Sequence, residues 1–236
     1  MAYVSVIILG IVLRKAKHEK VAKFLKILSI LVLVFEIVKI TWESYWDIST
    51  GRGFNYGGIL PLYTCSLYIY TMLIAAWGKG RAKDVSLAFI STIGMVSGAI
   101  GVVYCNGLNF YPFWTFGAWY SLLFHYLMFV TGMIVISTGY KKLEWKDIYM
   151  SWIPMVLLSV IASPVNYAYG ADYMQIYEGS GVPIMSTLAD KLADLNLRPV
   201  FTIIMLASYM IISAFVISIV KLVATICSKK DKKVEQ

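Results

Sequence analysis

PVFTIIMLASYMIISAFVISIV, residues Pro199–Val220, runs for twenty-two positions without a charge. As a helix that length reaches about 33 Å, enough to cross a hydrocarbon layer about 30 Å thick. A proline at the opening costs little there, because the first N–H of a helix has no partner anyway. The stretch ends on Lys221, and Lys229, Lys230, Lys232 and Lys233 follow. An uncharged span closed by a basic flank reads as a membrane helix.

Working outward from it, apolar runs also cover roughly 2–13, 24–46, 58–77, 85–105, 110–138 and 148–163. Hydrophobic residues make up 59% of the 236 positions and charged ones only 14%, where a soluble domain carries about 25% charge. The expected fold is an all-α, polytopic membrane helix bundle: one integral membrane domain over residues 1–236, in the cell membrane. Six full spans are expected, with a short first helix, since twelve residues span only about 18 Å. That first run is no secretory signal, because its positive charge follows the apolar stretch instead of preceding it.

The formal net charge of +8 raises the question of nucleic acid, and its distribution answers it. Basic residues gather in alternate connections: Arg14 to Lys26 after the first run, Lys79, Arg81 and Lys83 after the third, Lys141, Lys142 and Lys146 after the fifth, and the terminal cluster. The other connections hold Arg52, Lys191 and Arg198, with Asp47, Asp172, Glu178, Asp190 and Asp194 beside them. This alternation is the positive-inside pattern, and it predicts an N-out, C-in orientation. The charge serves topology, so no nucleic-acid partner is expected. Cys65, Cys105 and Cys227 have no metal-ligand spacing, and neither a metal nor a cofactor is expected. A bridge between Cys65 and Cys105 is conceivable on an oxidising outer face.

Chemistry in such a chain rests on polar groups that the bilayer makes costly. Glu36, Lys39 and Glu43 fall on one face of the second run, at spacings of three and seven. They form either a structural ion pair or a polar site within the membrane. The third run opens Leu60-Pro61-Leu62-Tyr63-Thr64-Cys65-Ser66-Leu67-Tyr68. If Pro61 stands at the helix entrance, Thr64, Cys65 and Ser66 lie one to two turns down. His125, in the fifth run, shares a face with Gly117, Ser121, Met128 and Gly132, and small residues there bring helices close. It is either an interhelical hydrogen-bonding group or a proton-transfer group, since imidazole titrates near neutrality. A cysteine and a histidine on neighbouring helices suffice for acyl transfer through a thioester. The run Gly94-Met95-Val96-Ser97-Gly98-Ala99-Ile100-Gly101 is a second small-residue packing face.

The segment from Leu60 to Leu67, the histidine of the fifth run, and Asn166-Tyr167-Ala168-Tyr169-Gly170-Ala171-Asp172-Tyr173-Met174 together resemble the YwaF family of bacterial integral membrane proteins. That family includes the eukaryotic transmembrane protein 164, a phospholipid acyltransferase with a membrane-embedded cysteine. Tyr63 stands where the family often has histidine. The resemblance implies that Cys65 and His125 are catalytic and that membrane phospholipids are the substrate. Glu36, Lys39, Glu43, Thr64, Tyr68, Ser121, Asn166 and Tyr173 are the candidate substrate-binding residues. The function expected is therefore a membrane-embedded lipid-processing enzyme, transferring or hydrolysing an acyl chain. The alternative is a small-molecule transporter, or a substrate-binding membrane subunit, that uses the buried Glu, Lys and His side chains.

Overall fold

The computed structural model describes residues 2–55, 58–104, 111–180 and 183–234, and every regular element among them is a helix. In chain order these are α1 (Ala2–Leu13), α2 (His18–Ser49), α3 (Leu67–Trp77), α4 (Gly80–Phe89), a π-helical turn (Ile90–Gly94), α5 (Met95–Tyr104), α6 (Phe116–Ser137), α7 (Asp147–Tyr169), a 3-10 turn (Tyr173–Gln175), α8 (Pro183–Asp194) and α9 (Arg198–Val234). Cys105 lies outside the described residues, as does the side chain of Cys227, so the conceivable Cys65–Cys105 bridge falls outside them too.

Four stretches among the described residues are long and apolar enough to cross a membrane: Gly80–Tyr104, Phe116–Ser137, Asp147–Tyr169 and Arg198–Ile226. The second and third runs, which with these four make the six full spans expected, are not among them. The second run does form a helix of 32 residues, but Glu36, Lys39 and Glu43, together with its basic start, interrupt its apolar character. The third run shortens for a different reason. A residue before proline is disfavoured in helical conformation, and the chain from Leu60 to Ser66 passes through turns, with Leu62 N–H donating to Leu60 O at 2.8 Å and Ser66 N–H to Tyr63 O at 2.9 Å. Only 11 residues, Leu67–Trp77, remain helical. Thr64, Cys65 and Ser66 therefore precede α3 instead of lying one to two turns inside it.

The sixth run is longer than its expected end at residue 163. α7 carries Pro154 and Pro164 within it and closes only at Gly170, whose φ of 61° places it in the left-handed region; a glycine reaches that conformation without steric cost. α8 lies within the long connection between α7 and α9.

The small-residue faces read from sequence pack against each other. A Cβ at Gly98 would lie 2.6 Å from Phe129 N and 2.7 Å from His125 O, and one at Gly101 would fall inside the His125 ring. α5 and α6 thus approach to backbone contact. Buried hydroxyls bind other helices across the interior: Ser151 and Ser213 pair at 2.7 Å, and Ser213 donates to Thr92 at 3.4 Å. Outward, Leu157, Val160, Ile203, Ile211 and Phe215 are all exposed, the apolar exterior of a protein whose surroundings are lipid.

The two ends of the bundle differ in character. At one end the Lys83 ammonium donates to the Tyr140 hydroxyl at 3.0 Å, the His18 ring meets Tyr140, Lys141 pairs with the buried Asp147 at 2.9 Å, and Lys221 sits over the Trp145 ring. The basic connections identified in the sequence thereby converge. At the other end Tyr173 meets the Leu60–Ser66 turn, and the Arg198 guanidinium lies 4.2 Å from the Tyr177 ring centre.

Candidate functional site

A 3.6-residue repeat aligns Glu36, Lys39 and Glu43 along α2, and the structure joins them into one chain of polar contacts. Lys39 Nζ lies 2.8 Å from Glu43 Oε2 and 3.7 Å from Glu36 Oε1. The Tyr111 hydroxyl donates to Glu43 Oε1 at 3.0 Å, and the Tyr120 hydroxyl of α6 donates to Glu36 Oε2. Glu43, not Glu36, is thus the nearer partner of Lys39. Glu36 is 5% exposed, and its Oε1 has no hydrogen-bond donor. Around the outer end of the chain, Trp42 stacks on Trp46 and meets Tyr111 edge-on.

Cys65 is a free, partly buried thiol on the turn ahead of α3. The turn is held from two sides. Thr64 pairs with the Tyr209 hydroxyl of α9 at 3.1 Å, and Leu60 N–H donates to the Tyr173 hydroxyl at 3.0 Å while the Tyr63 ring packs edge-on against Tyr173. Tyr173 is in turn fixed by Asn166, whose amide accepts from Tyr173 N–H at 2.8 Å and donates to Tyr173 O at 3.0 Å. Asp172 gathers the following loop by accepting from the N–H groups of Tyr177, Glu178 and Ser180. Non-helical backbone at membrane depth needs this kind of support from protein, because lipid offers it no hydrogen bonds.

His125 presents a different environment. Its Nδ1 lies 2.7 Å from the Ser121 carbonyl. A carbonyl can only accept, so Nδ1 carries the hydrogen and Nε2 holds the lone pair of the neutral ring. Five residues along a helix turn the side chain by about 140°, so while Tyr120 faces Glu36 of α2, His125 faces Gly101 of α5. No hydrogen bond joins His125 to Cys65 among the described residues.

Of the residues marked by sequence, Glu36, Lys39 and Glu43 come together on α2, and Thr64 and Cys65 lie side by side on the turn ahead of α3. Asn166 and Tyr173 act one layer out, as the clamp on the turn. Tyr68 is fully buried, and its hydroxyl bonds to Thr131 at 2.7 Å between α3 and α6. Ser121 contributes through its carbonyl to His125. Sequence reading missed Tyr111, Tyr120 and Tyr209. Each lies far along the chain from its partner, and in a sequence with 17 tyrosines nothing distinguished these three.

Two concavities lie in the bundle, and Cys65 is not among the described residues that line either. A polar cavity of about 590 Å3 is lined by Asp47, Arg52, Asn55, Tyr63 and Gly170, among others. An apolar groove of about 120 Å3 runs between α2 and α6, lined by Val32, Phe35, Trp119, Tyr120, Phe124 and Leu127. Among the described residues no group of acidic, histidine and cysteine side chains is placed to hold a metal ion.

A family model described as the TMEM164 family matches residues 1–225. The chain belongs to the TMEM164 family. It is a multi-pass membrane protein, as its apolar helices require. No curated relative and no solved structure matches it. In this TMEM164-family chain the polar cavity, the cysteine-bearing turn, the charged face of α2 and the apolar groove make up the candidate site.

Proposed function

We propose that this protein is a membrane-embedded lipid-processing enzyme that transfers or hydrolyses a phospholipid acyl chain through Cys65. The observations that carry the reading are a free thiol on an irregular turn whose Tyr63 lines a polar cavity, and an apolar groove between α2 and α6. A lipid ester has the same division into polar and apolar parts, and a pocket lined mainly by apolar side chains with a few polar groups is the ordinary form of a ligand site. In the first half of the cycle the thiol attacks the ester carbonyl. The carbon–sulfur bond forms, the carbon–oxygen bond breaks, and the lysolipid leaves with a proton. In the second half an acceptor hydroxyl or water releases Cys65. His125 is the acid–base group that the family resemblance supplies.

The test is turnover of acyl lipids by purified protein in phospholipid vesicles. Cys65→Ala and His125→Ala should each abolish it, and the double variant should be little worse than either, because members of one catalytic unit are not additive. Full activity of Cys65→Ala would refute the reading.

The charged chain running from the cavity to the interior favours a second reading, a small-molecule transporter or substrate-binding subunit. It predicts a mild effect of Cys65→Ala on solute uptake and a severe one of Glu36→Gln. For orientation we infer N-out, C-in, with six full spans once α2 and the third run are counted and the short α1 as a seventh crossing. The support is the convergence of the basic connections at one end of the bundle.

A further inference from the structure

We infer that the polar cavity of about 590 Å3 binds a zwitterion, with the anionic group on Arg52 and the protonated amine on Asp47. This names the class of headgroup for the proposed enzyme, and it rests on that reading for a lipid as the source. α2 ends at Ser49, and Gly51, with a φ of 74°, turns the chain back through a conformation that a side chain would strain. Arg52 N–H then donates to Asp47 O at 2.9 Å. The two side chains meet only loosely: Arg52 Nη1 lies 3.9 Å from Asp47 Oδ1, beyond hydrogen-bond range. The Arg52 side chain is 57% exposed, and so open an ion pair contributes little to stability. Asp47 is the more demanding group. It is 9% exposed, and among the described residues no hydrogen bond reaches its carboxylate. The Arg52 guanidinium, the Asn55 amide and the Tyr63 hydroxyl line the same cavity and likewise make no hydrogen bond among the described residues. Convergent polar groups around one concavity are what fixes a polar ligand.

The chemistry of these groups defines that ligand. A guanidinium recognises a phosphate or carboxylate through two parallel N–H bonds. A carboxylate takes a cation, and two helix ends reinforce it. α2 closes just beyond Asp47 and α7 closes at Gly170, both at this cavity, and the carbonyl end of a helix carries partial negative charge. With Arg52 and Asp47 only 3.9 Å apart, a ligand of one sign would be opposed by one of them, whereas a zwitterion satisfies both. Tyr63 stands two residues before Cys65, so a headgroup in the cavity meets the turn that bears the thiol.

The experiment titrates full-length protein in a neutral detergent with three probes, read as bound fractions by native mass spectrometry. The probes are dihexanoyl phosphatidylethanolamine, a zwitterion; dihexanoyl phosphatidylglycerol, an anion; and glycerophosphoethanolamine, the zwitterionic headgroup without acyl chains. Wild type should bind the ethanolamine lipid about tenfold more tightly than the glycerol lipid, the scale of one hydrogen bond to a charged group. Asp47→Asn keeps the shape and removes the partner of the amine, so it should erase that preference. Arg52→Gln should weaken both lipids by about tenfold. A lost preference between headgroups is not what a merely structural role would produce, and Arg52→Gln with the wild-type preference decides the matter if Asp47→Asn does not fold. Equal binding of the two lipids by wild type, a preference that survives Asp47→Asn, or wild-type affinity in Arg52→Gln would overturn the inference. Glycerophosphoethanolamine bound as tightly as the lipid would keep the zwitterion site and make a solute its source. None of these readouts needs Cys65: headgroup preference without acyl turnover would keep this site and remove the proposed function, and turnover without preference would do the reverse.

Discussion

Asn166 controls the cysteine turn without touching it. It is 1% exposed, Tyr173 is fully buried, and the two hydrogen bonds between them satisfy both backbone groups of Tyr173. Asn166→Leu leaves that N–H and that carbonyl unpaired in the interior. Each such loss costs about 1–3 kcal/mol, so the pair should cost about 2–6 kcal/mol. Asn166→Asp keeps an acceptor for the N–H but loses the donor to the carbonyl, and should cost roughly half as much. Because Tyr173 carries Leu60 through its hydroxyl and Tyr63 through its ring, the damage should spread to the turn. The assay is thermal unfolding in detergent, followed by tryptophan fluorescence, with limited proteolysis between Asp172 and Ser180. The Asp variant should melt between wild type and the Leu variant, and cleavage should quicken in the same order. A Leu variant as stable as wild type, or an Asp variant as damaging as Leu, would refute the clamp.

The charged chain makes a second stability prediction. Lys39→Met leaves the buried Glu36 and the partly buried Glu43 without their cation and should cost about 3–5 kcal/mol, whereas Glu36→Gln leaves Lys39 on Glu43 at 2.8 Å and should cost clearly less; detergent melting curves in the reverse order would contradict this pairing. Gly101→Ala drives a methyl into the His125 ring and should cost about 1–3 kcal/mol by overpacking. Gly10→Ala, whose nearest neighbour would be Met133 Cε at 3.6 Å, should melt like wild type. For topology, a cysteine at Lys141 should resist an impermeant thiol reagent in intact cells while one at Gly179 reacts, and labelling at position 141 would reverse the orientation.

Long uncharged runs such as Pro199–Val220 were legible because an uninterrupted apolar stretch has few other uses, and the Glu36–Lys39–Glu43 face followed from helical period alone. The small residues at Gly98 and Gly101 foretold a close approach of helix backbones at α5. What sequence could not show was where apolarity stops meaning helix. Pro61 was read as a helix entrance, yet it opens a set of turns, and the thiol consequently sits on irregular backbone. Contacts between distant positions were equally hidden. Tyr120 lies 84 residues from Glu36 and Tyr209 lies 145 from Thr64, and no spacing rule links them. Period along the chain also cannot say which neighbour a face meets, so the facing of His125 toward α5 came only from packing.

The account depends most on Cys65 carrying an acyl group. Purified wild-type protein incubated with phospholipid vesicles, quenched at low pH and analysed by intact-mass and peptide mass spectrometry, tests this directly. The account predicts a mass increase of one acyl chain on the peptide containing Cys65, released by hydroxylamine and absent in Cys65→Ala. An unmodified Cys65 in protein that nonetheless turns over acyl lipids, or the same adduct persisting in Cys65→Ala, would contradict it.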